Sequence, residues 1–225
     1  INTDAVCTIM RPDGTILGRK FINFPSDKDR MYRVLGRIRR FQREHGSRQV
    51  QGRWAYAKRL NTELGKKIAR EIVFYASENR ADVIVFEYLE MKGKLSGKKK
   101  QKLQMWRKRD IQKRCGQQAH RKGIRISRIC AWNTSRLAFD GSGKIDRDIQ
   151  DHRLCTFQNG KRYNCDLSAS YNIGARYFIR EILKPLPATE RSLLEAKVPA
   201  VKRRTSCVYA DLRDLISEME LRKAA

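Results

Sequence analysis

The sequence predicts a mixed α/β fold, a sheet flanked by helices, in a chain of 225 residues. Three features carry that expectation. "AVCTIM" (5–10) and "TILGRKFINF" (15–24) flank "RPDG", whose Asp-Gly is a hairpin signal. Two long segments then repeat apolar residues at helical spacing. After them "VIVF" (83–86) forms a continuous apolar run, as in a strand covered on both faces. Strands alternating with helices in this way pack most economically as α/β layers.

The elements follow in order. Ser26 reads as the N-cap of a helix over 26–46, where Met31, Val34, Leu35, Ile38 and Phe41 recur at helical spacing. Arg30, Arg33, Arg37, Arg40 and Arg43 take up much of its remaining surface. A second helix, 52–79, carries an apolar stripe of Leu60, Leu64, Ile68 and Ile72. The strand in "ADVIVFEYLEMKG" (81–93) ends on Glu87, and "GKLSGKKKQKLQMWRKRD" (93–110) is glycine-punctuated and strongly basic. A helix through His120, a strand in "GIRISRICAW" (123–132) and a helix in "DLSASYNIGARYFIREIL" (166–183) complete the pattern. Residues 184–225 read as a C-terminal tail with a helix carrying Leu212, Leu215, Ile216 and Met219.

Charge narrows the function. Fifty Lys and Arg against 24 Asp and Glu give a net charge of +26, whose natural complement is a polyanion. No apolar run reaches membrane-spanning length, which favours nucleic acid over an acidic membrane surface. The candidate contacts are Arg33, Arg37 and Arg40 on the first long helix, and Lys98, Lys99, Lys100, Lys102, Arg107, Lys108 and Arg109 in the basic stretch, with Trp106 for base stacking. Each also fits a solvated charged face or loop. The six cysteines include no C-x-x-C pair, so reduced, cytosolic thiols are expected. There is no signal peptide, and Ile1 in place of Met points to a chain that begins inside a longer one.

Two acids stand where chemistry could use them: Glu87 at a strand end and Asp166 at a helix start. Metal-dependent phosphodiester cleavage uses several carboxylates around Mg²⁺ to activate water and stabilise the leaving oxygen. A lone Asp at a helix start is more often a cap. Both readings stand on the residues alone.

The wording of the segments adds a resemblance. "VIVFEYLEMKG" resembles the second motif of RuvC-like nuclease domains, with Glu87 as its acid. "CDLSASYNIG" resembles the third, Asp-x-Asn-Ala-Ala-x-Asn-Ile, with Asp166 as its acid and Ser168 where Asn is usual. "GIRISRICAWNTS" resembles the segment leading to the Thr-Ser of TnpB proteins and type V CRISPR effectors. The likeness covers residues 1 to 182 and implies an RNase H-like (RuvC) fold over 1–183, with Glu87 and Asp166 within about 8 Å of each other.

Two departures qualify what the resemblance implies. "INTDAV" matches residues that come after the family's first acid, so that acid would lie upstream of Ile1, and Asp4 is a poor substitute. The zinc ribbon expected over about 133–165 is degenerate. Ala138 and Gly141 fall at the first ligand pair, and Gln158 replaces the partner of Cys155. A makeshift set of His152, Cys155, Cys165 and Cys130 is conceivable, but the ribbon looks lost.

These departures resemble the type V-K effectors, which work with CRISPR-associated transposons and whose RuvC domain is held to be inactive. The resemblance then implies an RNA-guided DNA-binding effector without cofactor, with guide RNA, target DNA and transposition proteins as partners. Glu87 and Asp166 would be vestigial, Asp166 serving as a helix cap. The alternatives are an active Mg-dependent RNA-guided endonuclease, with Mg²⁺ at Glu87 and Asp166, and a basic ribosome-associated scaffold.

Overall fold

The computed structural model describes residues 4–46, 50–88, 108–203 and 205–224. Strands β1 (Ala5–Met10) and β2 (Ile16–Ile22) form the expected hairpin. Exposure alternates along β2, as the two-residue period of a strand requires. Gly14 closes the turn at φ +80°, a conformation cheap only for glycine.

Helices α1 (Pro25–His45) and α2 (Gln51–Glu78) follow. The expected cap at Ser26 is corrected: Phe24 is the N-cap and Pro25 opens the helix. Proline's fixed φ suits the first helical position, so no side-chain cap is needed there. Strand β3 (Val83–Tyr88), helix α3 (Lys108–His120) and strand β4 (Arg125–Cys130) come next. β3 and β4 pair in parallel, from Val83 opposite Arg125 to Tyr88 opposite Cys130. A short antiparallel meander of β5 (Asp146–Arg147), β6 (Leu154–Thr156) and β7 (Arg162–Asn164) leads into α4 (Cys165–Leu183). Helix α5 (Ala188–Lys197), a 3₁₀ turn at Pro199–Lys202 and α6 (Tyr209–Ala224) end the chain.

The mixed α/β class is observed, but among the described residues the strands form three small sheets rather than one. The reading of β3 as covered on both faces is corrected too: within Val83–Phe86 only Ile84 is buried. A strand with a single described neighbour cannot be enclosed as a central strand is.

The chain divides into two compact units. One comprises Ile1–Ala5, Phe21–Glu78 and Lys92–Ile124. Its α1–α2 core packs Met31, Ile38 and Ala57 with Val34, Leu35, Trp54 and Leu60. Against α3, α2 presents small residues. Gly65 brings the backbones close, and the Cys115 thiol donates to the Ala69 carbonyl at 3.7 Å. Asp4 is committed to structure here: it accepts from the Phe24 N–H at 2.8 Å and pairs with Lys28 at 3.1 Å.

The other unit comprises Val6–Lys20, Asn79–Met91 and Arg125–Ala225. Its core joins Ala175, Ile179 and Leu183 of α4 to Leu194, Val201, Leu212 and Leu215, so the C-terminal segment is built into this core. Two buried polar residues one turn apart on α4 complete it. Asn172 donates to the carbonyls of Thr134 and Leu137, both at 3.0 Å, and accepts from the Tyr209 N–H at 3.0 Å. Arg176 donates to the carbonyls of Cys130, Trp132 and Cys207 at 3.0, 2.6 and 2.8 Å. Its remaining NH2 group is buried with no hydrogen-bond partner among the described residues.

Asn172→Leu removes three hydrogen bonds and strands three backbone groups, each costing about 1–3 kcal/mol when buried unsatisfied. The expected loss in a denaturant melt is at least about 3 kcal/mol. The exposed Leu193→Ala should stay within about 0.5 kcal/mol of wild type. Equal midpoints for the two variants would show that Asn172 does not hold the unit together.

Candidate functional site

Glu87 is the penultimate residue of β3 and Asp166 lies in the first turn of α4, both in the same compact unit. The expected capping role of Asp166 is corrected. Asn164 is the N-cap, its Oδ1 accepting from the N–H groups of Asp166 and Leu167 at 3.0 and 2.9 Å. An Asx side chain at the position before the first turn reaches those donors, whereas a side chain within the turn points away from them. Among the described residues no side-chain hydrogen bond or ion pair holds the Asp166 carboxylate.

Asp166 is exposed, yet enough protein surrounds its carboxylate to affect its titration. Burial raises its pKa, the charge of Arg147 opposes the rise, and the charge of Glu87 adds to it. The two acids therefore sense each other. Thr134, itself buried, sets Glu87: its hydroxyl lies 3.2 Å from Glu87 Oε2 and 3.1 Å from the Ala131 carbonyl. One hydroxyl proton serves both acceptors, so the Thr134 bond orients Glu87 without neutralising it. Arg147, near Asp166, donates to the Ser135 carbonyl at 3.0 Å. Thr134 and Arg147 carry no expected role in the sequence. The motif match ending in Asn-Thr-Ser was the available signal for Thr134; Arg147 gave none.

Residues 138–165 are held by aromatic packing. Ala138, Cys155, Phe157 and Cys165 form a buried cluster with Phe139, Ile145 and Tyr163. Phe139 meets Phe157 and Tyr171 edge-on, with centroids 5.6 and 5.1 Å apart. Burial and a hydrogen bond with Cys165 push the Cys155 thiol up to about 12, so it packs as a neutral group. The four thiol and imidazole candidates are split. Cys155 and Cys165 meet in this cluster, Cys130 is exposed at the end of β4, and exposed His152 turns toward the Asp148 carbonyl. Among the described residues no group of three or more His, Cys, Asp or Glu is arranged to hold a metal.

The basic candidates divide. Arg33, Arg37 and Arg40 line the exposed face of α1, opposite buried Met31 and Ile38. Arg33 reaches only the Asp29 carbonyl, at 3.4 Å, and no contact engages the Arg37 or Arg40 side chain among the described residues. Arg30 and Arg53, by contrast, stack on Tyr56 and Phe41. Arg109 is exposed in the first turn of α3. Lys98, Lys99, Lys100, Lys102, Trp106, Arg107 and the side chain of Lys108 lie outside the described residues.

No family model and no curated protein matches the chain. Its mixed α/β fold is similar to that of a solved protein. That protein is Cas12f1, in a complex described as the Cas12f1–sgRNA–target DNA complex. The TM-score is 0.54 at 16% identity, covering 75% of this chain and 49% of that one. The chain thus spans about half the length of the protein it matches. No helix among the described residues is long and apolar enough to cross a membrane.

Two stability measurements test these roles. Asn164→Ala should lose about 1 kcal/mol as the α4 cap is removed. Asp166→Asn should behave oppositely. A raised folded-state pKa means the native state binds the proton more tightly than the unfolded chain, so stability falls as pH rises from the ordinary aspartate value through the raised one. The asparagine variant escapes that loss. At neutral pH it should melt at or slightly above wild type, with the gap closing on acidification. A variant melting below wild type at neutral pH would mean that the charged carboxylate is stabilising.

Proposed function

We propose that the chain is the RuvC-like, RNase H-like portion of an RNA-guided DNA-binding effector of the type V CRISPR and TnpB kind. The carrying observation is the fold shared with Cas12f1 from a complex containing guide RNA and target DNA. In such proteins base pairing reads the sequence while the protein holds the heteroduplex by charge, and a net charge of +26 suits that task. Guide RNA and target DNA are the partners this assigns.

The finer reading is an effector of the type V-K kind, binding DNA without cutting it and handing the site to transposition proteins. Its support is the wording of the two motifs and a ribbon segment packed by aromatic rings. A second reading, Mg-dependent cleavage, has one observation in its favour: Asn164 does the capping, which leaves the Asp166 carboxylate uncommitted beside the charge of Glu87. Oxygen donors of this kind fit Mg²⁺, which is commonly held by one or two carboxylates plus substrate phosphates. Glu87 and Asp166 would hold the ion, and it would supply water activation and stabilise the leaving oxygen.

The test is guided binding and cleavage by the full-length protein, wild type and Asp166→Asn in parallel. Guide-dependent binding of matched DNA without cutting in Mg²⁺ or Mn²⁺, unchanged in the variant, is the expected result. Metal-dependent cutting lost in Asp166→Asn would establish the nuclease instead. No guide-dependent binding at all would remove the effector reading.

Binding should also be salt-sensitive, each phosphate contact adding about 0.9 to the slope of log affinity against log salt on duplex DNA. Neutralising Arg33, Arg37 and Arg40 to Gln, or Lys98, Lys99, Lys100 and Lys102 to Ala, should each flatten that slope. An unchanged slope would make the group concerned a solvated surface.

A further inference from the structure

At the end of β3 that carries Glu87, the molecule exposes two large rings. Trp132 is 66% exposed and Tyr88 53% exposed, while most large apolar side chains of this unit are enclosed. Both leave the same end of the β3–β4 pair. Tyr88 lies opposite Cys130 in the parallel register, and the Ala131 N–H donates to the Tyr88 carbonyl at 3.3 Å.

The backbone beneath Trp132 is fixed. Its carbonyl accepts from Arg176 at 2.6 Å, and the chain then turns through Asn133 at φ +58° into Thr134, whose carbonyl is held by Asn172. A ring on a pinned turn loses little freedom on meeting a ligand, which lowers the entropic cost of contact. Exposed Arg128 and Arg136 lie four residues before and four after Trp132. Among the described residues no hydrogen bond or ion pair engages either guanidinium group.

We propose that Trp132 and Tyr88 form a stacking platform for the unpaired bases of a single-stranded polynucleotide at the acidic end of β3. This rests on the effector reading for where the strand comes from. The choice of occupant follows from chemistry. Every base has a π-face, so aromatic rings hold single strands without reading their sequence. In a duplex those faces are already stacked on neighbours. A protein partner would also use Trp and Tyr, but a surface with uncommitted arginines on a chain of net charge +26 favours phosphate-bearing ligands.

The experiment measures affinity of the full-length protein for oligo(dT), oligo(rU) and an unmatched duplex across a salt series. Trp132→Ala should weaken single-strand binding about tenfold, within the range measured for loss of one base–aromatic stack. Tyr88→Ala should act in the same direction, and Trp132→Phe should restore most of the loss. The salt slope should not change, because no phosphate contact is removed. Arg128→Gln, in contrast, should flatten it. Equal losses on oligo(dT) and oligo(rU) would assign a platform that reads bases alone; a loss on one only would assign a strand held also through its sugar.

Single-strand affinity unchanged in both Trp132→Ala and Tyr88→Ala, or an equal loss on the duplex, would overturn the proposal. Should Trp132→Ala melt early, Tyr88→Leu and Trp132→Phe carry the same comparison. Guide-dependent binding of matched duplex by the wild type is scored separately. Its failure alongside a clear loss in Trp132→Ala would remove the effector reading and leave the platform standing.

Discussion

Much of the second unit depends on one arrangement: two buried polar side chains on α4 that fasten irregular backbone from two distant parts of the chain. Residues 131–138 have little regular structure, so their buried carbonyls need partners from elsewhere. Asn172 and Arg176 supply five of the six bonds described at that helix face to carbonyls, and the sixth is accepted by Asn172 from Tyr209. Because the two residues are one turn apart on a rigid helix, they fix the turn and the start of α6 together. Burial lowers the Arg176 pKa, yet the guanidinium keeps its charge and three carbonyl acceptors partly replace its lost hydration. Truncating a buried charged partner of this kind typically costs about 3–5 kcal/mol, more than the bonds contribute net, since the groups left behind have no water to turn to. Thr134, Glu87 and Trp132 are held in place through this stitch.

The segment from 133 to 165 shows how a short excursion can be held by packing. Its strands are only two or three residues long, too short to be stable by themselves. Phe157 is fully buried, and Phe139 sits among Phe157, Tyr163, Tyr171 and Tyr209 with centroid separations of 5.0–6.1 Å. Edge-on aromatic pairs add about 0.5–1.5 kcal/mol each beyond their buried area. Asp140 closes the first loop by accepting from Ser142 and Asn159, which also holds its pKa below the ordinary value against the effect of burial. Rings and turns thus hold the segment together.

Local pattern made most of the elements legible, because periodicity and turn chemistry act over a few residues. The hairpin, both long helices, β4 and α4 lie within a residue or two of their expected positions. The helix starts were less legible. Ser26 and Asp166 are both good caps by type, yet Phe24 and Asn164, each two residues earlier, take the role by position. Strand β3 reads as enclosed in the sequence because an apolar run reports the hydrophobicity of a strand and not the number of its neighbours. Contacts between residues far apart in sequence left no local trace. The bonds from Asn172 and Arg176 span 31 to 46 residues, and each of those side chains reads locally as an ordinary polar interruption in an apolar helix.

Arginines and carboxylates both bear on how a polyanion can bind this chain. The uncommitted arginines of α1 belong to the first unit, and the acids Glu87 and Asp166 to the second. Near the acids a phosphate meets two carboxylates, offset in part by Arg147, so Coulomb attraction there is weaker than the net charge of +26 suggests. A strand approaching that point must either bring a cation with it or bind by something other than charge. Metal coordination is the first solution and base stacking the second. They differ in what they ask of the surroundings: an ion needs deprotonated oxygens, while a stacked base needs an exposed ring on fixed backbone. Among the described residues Trp132 on its pinned turn supplies such a ring, and Glu87 and Asp166 supply such oxygens.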